Sequence, residues 1–242
     1  MTQTGKDSDK KARVEQMFDS IAPSYDALNH LLSAGVDIGW RRRVVKMVRT
    51  FDENEDGLRL LDVATGTGDL AIALARAIPA ARVTGVDISE GMLEIGREKV
   101  AGRGLAGRVE LRTGDAEALE FEGGRFDAVT VAFGVRNFGD MAAGLAEMAR
   151  VLRPGGRCWV LEFSEPRVPV LGALYRFYFR RVLPLVGRIV SRDRGAYTYL
   201  PRSVGEFPAP EQFSEMLRRA GFTAVHRRRL SLGIAWIYEA VR

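Results

Sequence analysis

The segment that decides the fold is LLDVATGTGDLA, Leu60–Ala71, together with the apolar run VTGVD that ends at Asp87. The pattern predicts a β-strand, a glycine-rich turn, the start of a helix and then a second strand that ends in an acidic residue. This order is typical of the first two strands of a doubly wound α/β sheet, where the acidic residue accepts hydrogen bonds from a ribose. The segment therefore predicts a site for an adenosine-bearing cofactor.

The charge of this loop separates two cofactor classes that share its glycine pattern. Gly66, Gly68 and Ala71 fit G-x-G-x-x-A, which also occurs in dinucleotide sites. Such sites place a pyrophosphate at the amino end of the helix, where free N–H groups and the helix dipole favour an anion. Asp69 in that first turn and Asp62 on the preceding strand would repel a diphosphate. The loop favours S-adenosylmethionine, which has a sulfonium and no phosphate, although a simple helix-start role for Asp69 is the alternative.

Composition limits the class of protein and its compartment. The 242 residues, of which 46% are hydrophobic, can form one large α/β domain. The single cysteine, Cys158, lies in the apolar run CWVLEF, which predicts a buried core residue and excludes a disulfide framework or a multi-cysteine metal site. No apolar run approaches the length of about 18 residues that a membrane span needs, and the amino-terminal residues lack a signal-peptide pattern. These features predict a cytoplasmic protein.

The charge is distributed unevenly along the chain. Residues 167–242 contain 14 arginines, no lysine and 5 acidic residues, which gives a net charge of +9, and residues 1–166 carry −4. A basic surface beside apolar side chains suits either nucleic acid or an anionic membrane surface.

Short apolar runs alternate with helical patterns through the middle of the chain. This alternation predicts a mostly parallel sheet with helices on both faces, and two further strands around Leu232 and Gly233 add a final hairpin. Seven strands with such a hairpin form the methyltransferase variant of the doubly wound sheet. The predicted strands cover residues 59–64, 82–87, 108–113, 126–132, 157–163, 223–230 and 234–240, and the predicted helices cover 69–78, 90–102 and 141–152.

The predicted domain organisation is simple. Residues 1–12 are polar and charged and are expected to be disordered, whereas residues 13–242 form a single domain. Two segments outside the predicted sheet, about 13–51 and 167–208, are expected to form a helical cap over the carboxyl ends of the strands. Pro23 is expected to break the first of these segments.

Several segments resemble the menaquinone/ubiquinone biosynthesis C-methyltransferases, over about residues 13–234. The glycine loop is shared by many methyltransferases, whereas the N-terminal segment, FGVRN, LEFSEP and YxYLPxSVxxFP are specific to this family. Two departures concern Ala132, where the family often has serine, and SLGIAWIY at Ser231–Tyr238, where it usually reads closer to TGGIxxxH. The matching segments are VEQMFDSIAPSYDALNHLLSAG (Val14–Gly35), LLDVATGTGDLA, VDISEGML (Val86–Leu93), DAEAL (Asp115–Leu119), FGVRN (Phe133–Asn137), RVLRPGG, LEFSEP (Leu161–Pro166) and AYTYLPRSVGEFP (Ala196–Pro208).

The resemblance implies a class I S-adenosylmethionine-dependent methyltransferase that methylates a ring carbon of a polyprenylated quinol. It places Thr67 in the cofactor loop, Asp87 on the ribose hydroxyls and the pair Asp115 and Ala116 near the adenine. The chemistry agrees, because a carboxylate accepts hydrogen bonds from hydroxyl and amino groups. The predicted cofactor-binding residues are Asp62, Gly66, Thr67, Gly68, Asp69, Asp87, Ile88, Asp115 and Ala116.

Methylation of a quinol ring carbon requires a positioned ring and a stabilised phenolate. Arg136 stays protonated and is assigned to the developing phenolate, with Asn137 as a positioning residue; a salt bridge and a turn are their alternative roles. Tyr25 and Asp26, with His30 about one helical turn onward, are candidate proton acceptors and ring contacts.

Substrate contacts are predicted in two further segments. Tyr197, Tyr199 and Arg202 are candidates for the substrate mouth, and core packing is the alternative for the tyrosines. Residues 168–190 are predicted to contact an anionic membrane surface, with an amphipathic core helix or a homodimer interface as alternatives. The arginines interleaved in this segment are Arg176, Arg180, Arg181 and Arg188.

Other functions leave different signatures. A nucleic-acid methyltransferase that modifies base amino groups would carry an Asn/Asp-Pro-Pro-aromatic segment after the fourth strand, where this chain has FGVRN. A non-catalytic binding module would not need the polar pair at that strand, and an NAD-dependent oxidoreductase would not need an acidic loop. The preferred substrate is demethylmenaquinol, with a ubiquinone-pathway benzoquinol as the alternative ring.

Overall fold

The computed structural model describes the backbone of residues 3–33, 35–51, 57–166 and 194–242, and the side chains of 10–23, 25, 33, 35–51, 57–166 and 199–242. The strands are β1 (Arg59–Val63), β2 (Arg82–Asp87), β3 (Val109–Thr113), β4 (Phe126–Ala132), β5 (Leu152–Phe163), β6 (Ala224–Leu230) and β7 (Ala235–Val241). The helices are α1 (Gln3–Leu32), α2 (Val36–Phe51), α3 (Asp69–Ala77), α4 (Glu90–Gly102), α5 (Met141–Val151), α6 (Arg194–Glu206) and α7 (Pro210–Arg219), and Val135–Asn137 and Ser231–Gly233 form 3-10 turns.

The strands form one sheet in the order β3-β2-β1-β4-β5-β7-β6. Strands β1 to β5 pair in parallel, whereas β7 is antiparallel to both β5 and β6. The chain order reverses between β1 and β4, so a crevice opens beyond the carboxyl ends of these two strands. Ligands of doubly wound sheets bind at this switch point.

Local signals explain how the helices begin and how closely they approach the sheet. The Ser89 hydroxyl accepts a hydrogen bond from the Met92 N–H at 3.2 Å and caps α4, and Asp140 caps α5 through the Ala143 N–H at 3.0 Å. Gly96 on α4 lets that helix pack tightly, because a Cβ there would lie 2.6 Å from a methyl carbon of Leu111 on β3.

The sheet predicted from the sequence is confirmed, and the two predictions that differ concern α1 and the start of β5. The predicted disordered residues 1–12 are helical from Gln3, and Pro23 lies inside α1 rather than breaking it. Pro23 removes one backbone donor, but the helix continues because Ile21 and Ala22 are buried against Met92 of α4. Strand β5 begins at Leu152, five residues earlier than predicted, because it pairs with Phe126 of β4 there. Most of the second predicted cap segment, residues 167–193, lies outside the described residues.

Cys158 is buried in the centre of β5, as predicted. Burial raises the pKa of its thiol to about 12, so almost none of the reactive thiolate exists at neutral pH. We expect native protein to remain unlabelled by Ellman's reagent over minutes and to release one equivalent of the chromophore after denaturation in guanidinium chloride. Stoichiometric labelling of the native protein within minutes would contradict this burial.

Candidate cofactor and substrate site

Two adjoining cavities lie at the carboxyl ends of β1, β2 and β4 and form one cleft. The larger has a volume of about 710 Å³, including the part open to solvent, and the smaller about 360 Å³. The two cavities share four lining residues, which are Tyr25, Ala64, Gly66 and Ala132. The cleft therefore occupies the switch point at which ligands of this architecture bind.

The backbone at the switch point is shaped to leave the cleft open. Ala64 after β1 and Phe133 after β4 both adopt positive φ, at 51° and 62°, and both line the cleft. Such strained residues cluster at functional sites. Gly66 also has positive φ, at 57°, and a Cβ there would meet no atom within 4 Å. Since Gly66 lines both cavities, any larger side chain would project into the cleft, and glycine lets a ligand approach the backbone.

Asp87 at the end of β2 joins the loop to the larger cavity. Its carboxylate accepts hydrogen bonds from the Gly66 N–H at 2.8 Å and the Ser89 N–H at 3.0 Å, and burial raises its pKa. Among the described side chains it has no salt-bridge partner, and it lines the larger cavity beside Ile88. A carboxylate has about four lone-pair sites, so Asp87 keeps acceptor capacity for ligand hydroxyls.

The other end of the larger cavity holds Asp115 and Ala116, as the resemblance implied, and also a lysine that the sequence did not reveal. The Lys11 ammonium lies 2.8 Å from the Asp115 carboxylate and 2.6 Å from that of Glu117. Lys11 belongs to α1, more than 100 residues from both acids in the chain, so no local pattern predicts the contact. Helix α1 thereby covers this end of the cavity.

The smaller cavity contains the loop acids, and one of them is paired. Asp69 forms a salt bridge with Lys99 of α4, and the same ammonium donates a hydrogen bond to the Thr67 hydroxyl at 3.0 Å. The repulsion of a diphosphate that we expected from Asp69 is therefore weakened by Lys99. Among described residues, however, the lining of the two cavities still has more acidic than basic members. The acidic ones are Asp62, Asp69, Asp87, Asp115 and Glu117, and the basic ones are Lys11 and Arg41.

Asp62 on β1 is buried beneath the loop and is held by two hydroxyl groups. Its carboxylate oxygens accept hydrogen bonds from Thr65 and Thr130, each at 2.6 Å. Burial raises its pKa from 3.8 to about 6, and these hydrogen bonds oppose the rise. The side chain thus shapes the loop from below and touches the smaller cavity.

The raised pKa of Asp62 predicts a pH dependence of stability. The native state binds the proton more tightly than the unfolded state, so stability is highest below the unfolded pKa and falls as the pH rises towards 6. A change from 3.8 to about 6 corresponds to about 3 kcal/mol. We expect the free energy of unfolding of the wild type, measured by urea titration, to fall by about 3 kcal/mol between about pH 4 and pH 7, relative to that of the variant Asp62→Asn. A difference that stays constant across this range would contradict the prediction.

Arg136 is placed differently from its predicted role at the phenolate. Its guanidinium donates to Glu162 Oε1 at 2.9 Å and to the Phe133 carbonyl oxygen, and the side chains of Arg136 and Glu162 are 7% and 0% exposed. Arg136 is not among the residues that line either cavity. The salt bridge was the alternative role for this residue, and the structure supports it.

Asn137 lines the larger cavity, as predicted for a positioning residue. Its carboxamide oxygen accepts a hydrogen bond at 3.0 Å from the hydroxyl of Tyr199, and its carboxamide nitrogen donates to the Phe133 carbonyl oxygen at 3.4 Å. Burial raises the pKa of Tyr199, which keeps the hydroxyl protonated. Tyr25 lines both cavities. Tyr25 and Asn137 therefore line the same cavity, and Tyr199 contacts the cavity wall through Asn137.

The remaining predicted residues are not brought into the cleft by the described part of the structure. Arg202 is exposed, with its guanidinium 5.8 Å from the centre of the Tyr199 ring and 3.7 Å from the Glu206 carboxylate. The side chains of Asp26, His30 and Tyr197 lie outside the described residues, although their backbones belong to α1 and α6. The arginines Arg176, Arg180, Arg181 and Arg188 also lie outside the described residues.

The sheet topology, the glycine loop and the acidic residue that ends β2 define a class I methyltransferase fold. Solved structures share it, including the 4+2 cyclase SpnF, with a TM-score of 0.70 and 22% identity over 96% of both chains. A possible histamine N-methyltransferase of Thermotoga maritima, described as dependent on S-adenosylmethionine, aligns with a TM-score of 0.64 and 18% identity, over 94% of this chain and 99% of that one. At such identities the likeness establishes the fold.

Sequence relatives establish the family. The family model described as the ubiE/COQ5 methyltransferase family matches residues 6–242, and the chain belongs to this family. A ubiquinone/menaquinone biosynthesis C-methyltransferase UbiE of Geobacter sulfurreducens is 50% identical, over 96% of this chain and 89% of its own length. Demethylmenaquinone methyltransferases of Bacteroides fragilis (43% identical; 98% and 95% covered) and Thermus thermophilus (50%; 93% and 100%) are similar as well. The prediction of an S-adenosylmethionine-dependent methyltransferase is confirmed at the level of family and fold.

Proposed function

We propose that this chain transfers a methyl group from S-adenosylmethionine to a ring carbon of demethylmenaquinol and so forms menaquinol. The observation that carries the proposal is membership of the family over residues 6–242, with full-length relatives named demethylmenaquinone methyltransferase. The predominantly acidic cleft at the switch point supports the same conclusion, because it suits a cofactor that carries a positive charge and no phosphate.

The residues of the cleft fit this cofactor. Asp87 would hold the ribose hydroxyls, since it is an acceptor without a basic partner among described side chains, and Asp115 with Ala116 would hold the adenine. Gly66 leaves the backbone open to the ligand, and Asp62 and Asp69 place negative charge in the smaller cavity. When bound, S-adenosylmethionine supplies an electrophilic methyl group on a sulfonium. The protein binds and orients this donor and keeps the cleft covered by α1.

The same cleft offers polar groups for the quinol. Reaction at a ring carbon needs the adjacent hydroxyl to lose or share its proton, so that electron density rises at that carbon. Asn137 and Tyr25 line the cleft where they can bind this hydroxyl, and Tyr199 fixes the carboxamide of Asn137. We assign the phenolate contact to these residues rather than to Arg136. Asp26 and His30 stay predictions as proton acceptors.

Replacing Tyr199 with phenylalanine tests this positioning. The variant removes only the hydroxyl that bonds to Asn137, so we expect kcat to fall about 10-fold with a small change in the affinity for S-adenosylmethionine. Since the two residues act together, the double variant Tyr199→Phe with Asn137→Ala should be no slower than Asn137→Ala alone. Additive losses in this cycle would show that the two side chains act independently.

The function is tested by methyl transfer from labelled S-adenosylmethionine to a demethylnaphthoquinol and a demethylated benzoquinol, measured side by side. We expect the naphthoquinol to be the better substrate. The benzoquinol is the second candidate, because the Geobacter sulfurreducens relative is named for both pathways. If only the benzoquinol is methylated, it replaces demethylmenaquinol as the proposed substrate. If RNA is labelled and neither quinol is, the proposed function is wrong.

The proposed substrate carries a polyprenyl tail, which partitions into a bilayer. In the part of the chain that the structure describes, no helix is long and apolar enough to cross a membrane. We therefore propose peripheral contact with an anionic membrane surface on the cytoplasmic side. The arginine-rich segment 168–190 predicted to make this contact lies outside the described residues.

A further inference from the structure

Three large apolar side chains are strongly exposed in the described part of the chain. They are Val36 (44% exposed), Ile38 (36%) and Leu232 (60%). Val36 and Ile38 begin helix α2, and Leu232 lies in the turn between β6 and β7. A hydrogen bond of 3.1 Å from the Trp40 indole N–H to the Ser231 hydroxyl joins these two segments. Because Val36 lies one helical turn before Trp40, it is on the face of α2 that meets the turn.

The turn holds Leu232 in an unfavourable conformation. Ser231 and Leu232 have φ values of +43° and +58°, a region in which asparagine and glycine are favoured and leucine is rare. Leucine in this place is neither a core residue nor the residue that the backbone prefers. Strain of this kind is found where a side chain is needed for a function.

The turn lies on the same edge of the sheet as the cleft. Strand β7 begins at Ala235 opposite Phe163, the last residue of β5, and the Ser164 N–H bonds to the Ile234 carbonyl oxygen at 2.9 Å. Trp40 also links the turn to the cleft, since its ring centre is 6.2 Å from that of Phe133, which lines the larger cavity. The turn therefore lies at the same edge of the sheet as the cleft and is connected to the cleft wall through Trp40.

Four arginines lie on the same two segments as these apolar residues. Arg42 and Arg43 follow Ile38 and Val36 on α2 by one to two turns, and Arg228 and Arg229 precede Leu230, the last residue of β6. All four are exposed, and the structure gives none of them a salt bridge with any carboxylate it describes. We name Val36, Ile38, Leu232, Arg42, Arg43, Arg228 and Arg229 the carboxyl-edge patch.

We propose that the carboxyl-edge patch rests on an anionic lipid surface, with Leu232 and the start of α2 inserted among the headgroups and the arginines bound to lipid phosphates. The inference rests on the proposed function, because a polyprenylated quinol must reach the cleft from a bilayer. Exposed apolar side chains on segments whose arginines pair with no described carboxylate are complementary to such a surface. Pro166 packs beside Gly233 of the same turn. Pro166 is also the last described residue before the segment that is predicted to contact lipid.

Vesicle flotation tests the patch. The full chain should float with phosphatidylcholine vesicles that contain phosphatidylglycerol and remain in solution with pure phosphatidylcholine. The double variant Arg228→Ser with Arg229→Ser should weaken binding about 30-fold. Leu232→Asn, which suits the left-handed backbone, should weaken binding without loss of folding. The matched control is Arg76→Ser with Arg82→Ser, which removes the same charge from exposed arginines at the opposite edge of the sheet and should bind as the wild type does.

Two further measurements separate the possible outcomes. Methyl transfer to a tail-free quinol in solution should be unchanged in the patch variants, whereas transfer to a long-tailed quinol in vesicles should fall. If the wild type does not methylate the tail-free quinol, that result counts against the proposed function. The patch is then tested by flotation, which does not depend on activity. The patch proposal is overturned by unchanged flotation of its variants, by an equal loss in the control, or by variants that abolish only a homodimer or RNA binding.

Discussion

Replacing Glu162 with alanine is expected to lower the free energy of unfolding by about 3–5 kcal/mol, because it leaves the Arg136 guanidinium buried without its counter-ion. Glu162 is buried near the carboxyl end of β5 and accepts hydrogen bonds from the Arg136 side chain at 2.9 Å, the Phe163 N–H at 2.8 Å and the Arg136 N–H at 3.3 Å. For a chain of this size the melting temperature should fall by about 10 °C in thermal denaturation.

A double variant separates charge from packing at this position. Glu162→Leu combined with Arg136→Leu removes both charges, and it should recover much of the stability lost by Glu162→Ala, since apolar replacements of buried ion pairs are often tolerated. The expected order of stability is wild type, then the double variant, then Glu162→Ala. If Glu162→Ala melts within about 2 °C of the wild type, the ion pair does not hold the turn Val135–Asn137 in the way described.

Replacing Asp87 with alanine is expected to weaken the binding of S-adenosylmethionine by about 100-fold or more. The variant removes the acceptor assigned to the ribose hydroxyls, and hydrogen bonds to a charged group contribute about 1.5–3 kcal/mol each. It also frees the Gly66 and Ser89 N–H groups, which the carboxylate holds at 2.8 Å and 3.0 Å. Equilibrium dialysis or calorimetry measures the change directly.

Asp127 provides a matched control for Asp87. Its carboxylate also accepts hydrogen bonds from two groups, the Arg59 N–H at 2.8 Å and the Arg153 Nε at 2.7 Å. Asp127 lies at the start of β4, however, on the edge of the sheet away from the cleft. Asp127→Ala should lower stability and leave the affinity for S-adenosylmethionine unchanged. Loss of affinity in Asp127→Ala equal to that in Asp87→Ala would indicate a general effect on folding.

The sheet and the position of the cleft follow from local patterns in the sequence. Short apolar runs alternate with helical patterns, and the glycine loop marks the first crossover. Asp87 could be placed at the cleft because the carboxyl ends of parallel strands meet at one edge of the sheet, whereas Asp115 and Ala116 were placed there by the resemblance to the family. The start of β5 and the continuation of α1 through Pro23 differed from the prediction.

Side-chain partners could not be predicted in this way. Lys99 neutralises Asp69 from another helix, Lys11 reaches Asp115 across more than 100 residues, and Glu162 holds Arg136 from a neighbouring strand. Each pair joins residues whose proximity depends on tertiary packing rather than on spacing in the chain. The sequence therefore indicated which charged residues lie near the cleft, but it could not show which of them neutralise each other.

Calorimetric titration of the purified wild-type chain with S-adenosylmethionine, and separately with NAD, tests which cofactor the cleft binds. We expect saturable binding of S-adenosylmethionine at one site, lost in Asp87→Ala, and no detectable binding of NAD. Saturable binding of NAD that Asp87→Ala abolishes, with no binding of S-adenosylmethionine, would contradict it.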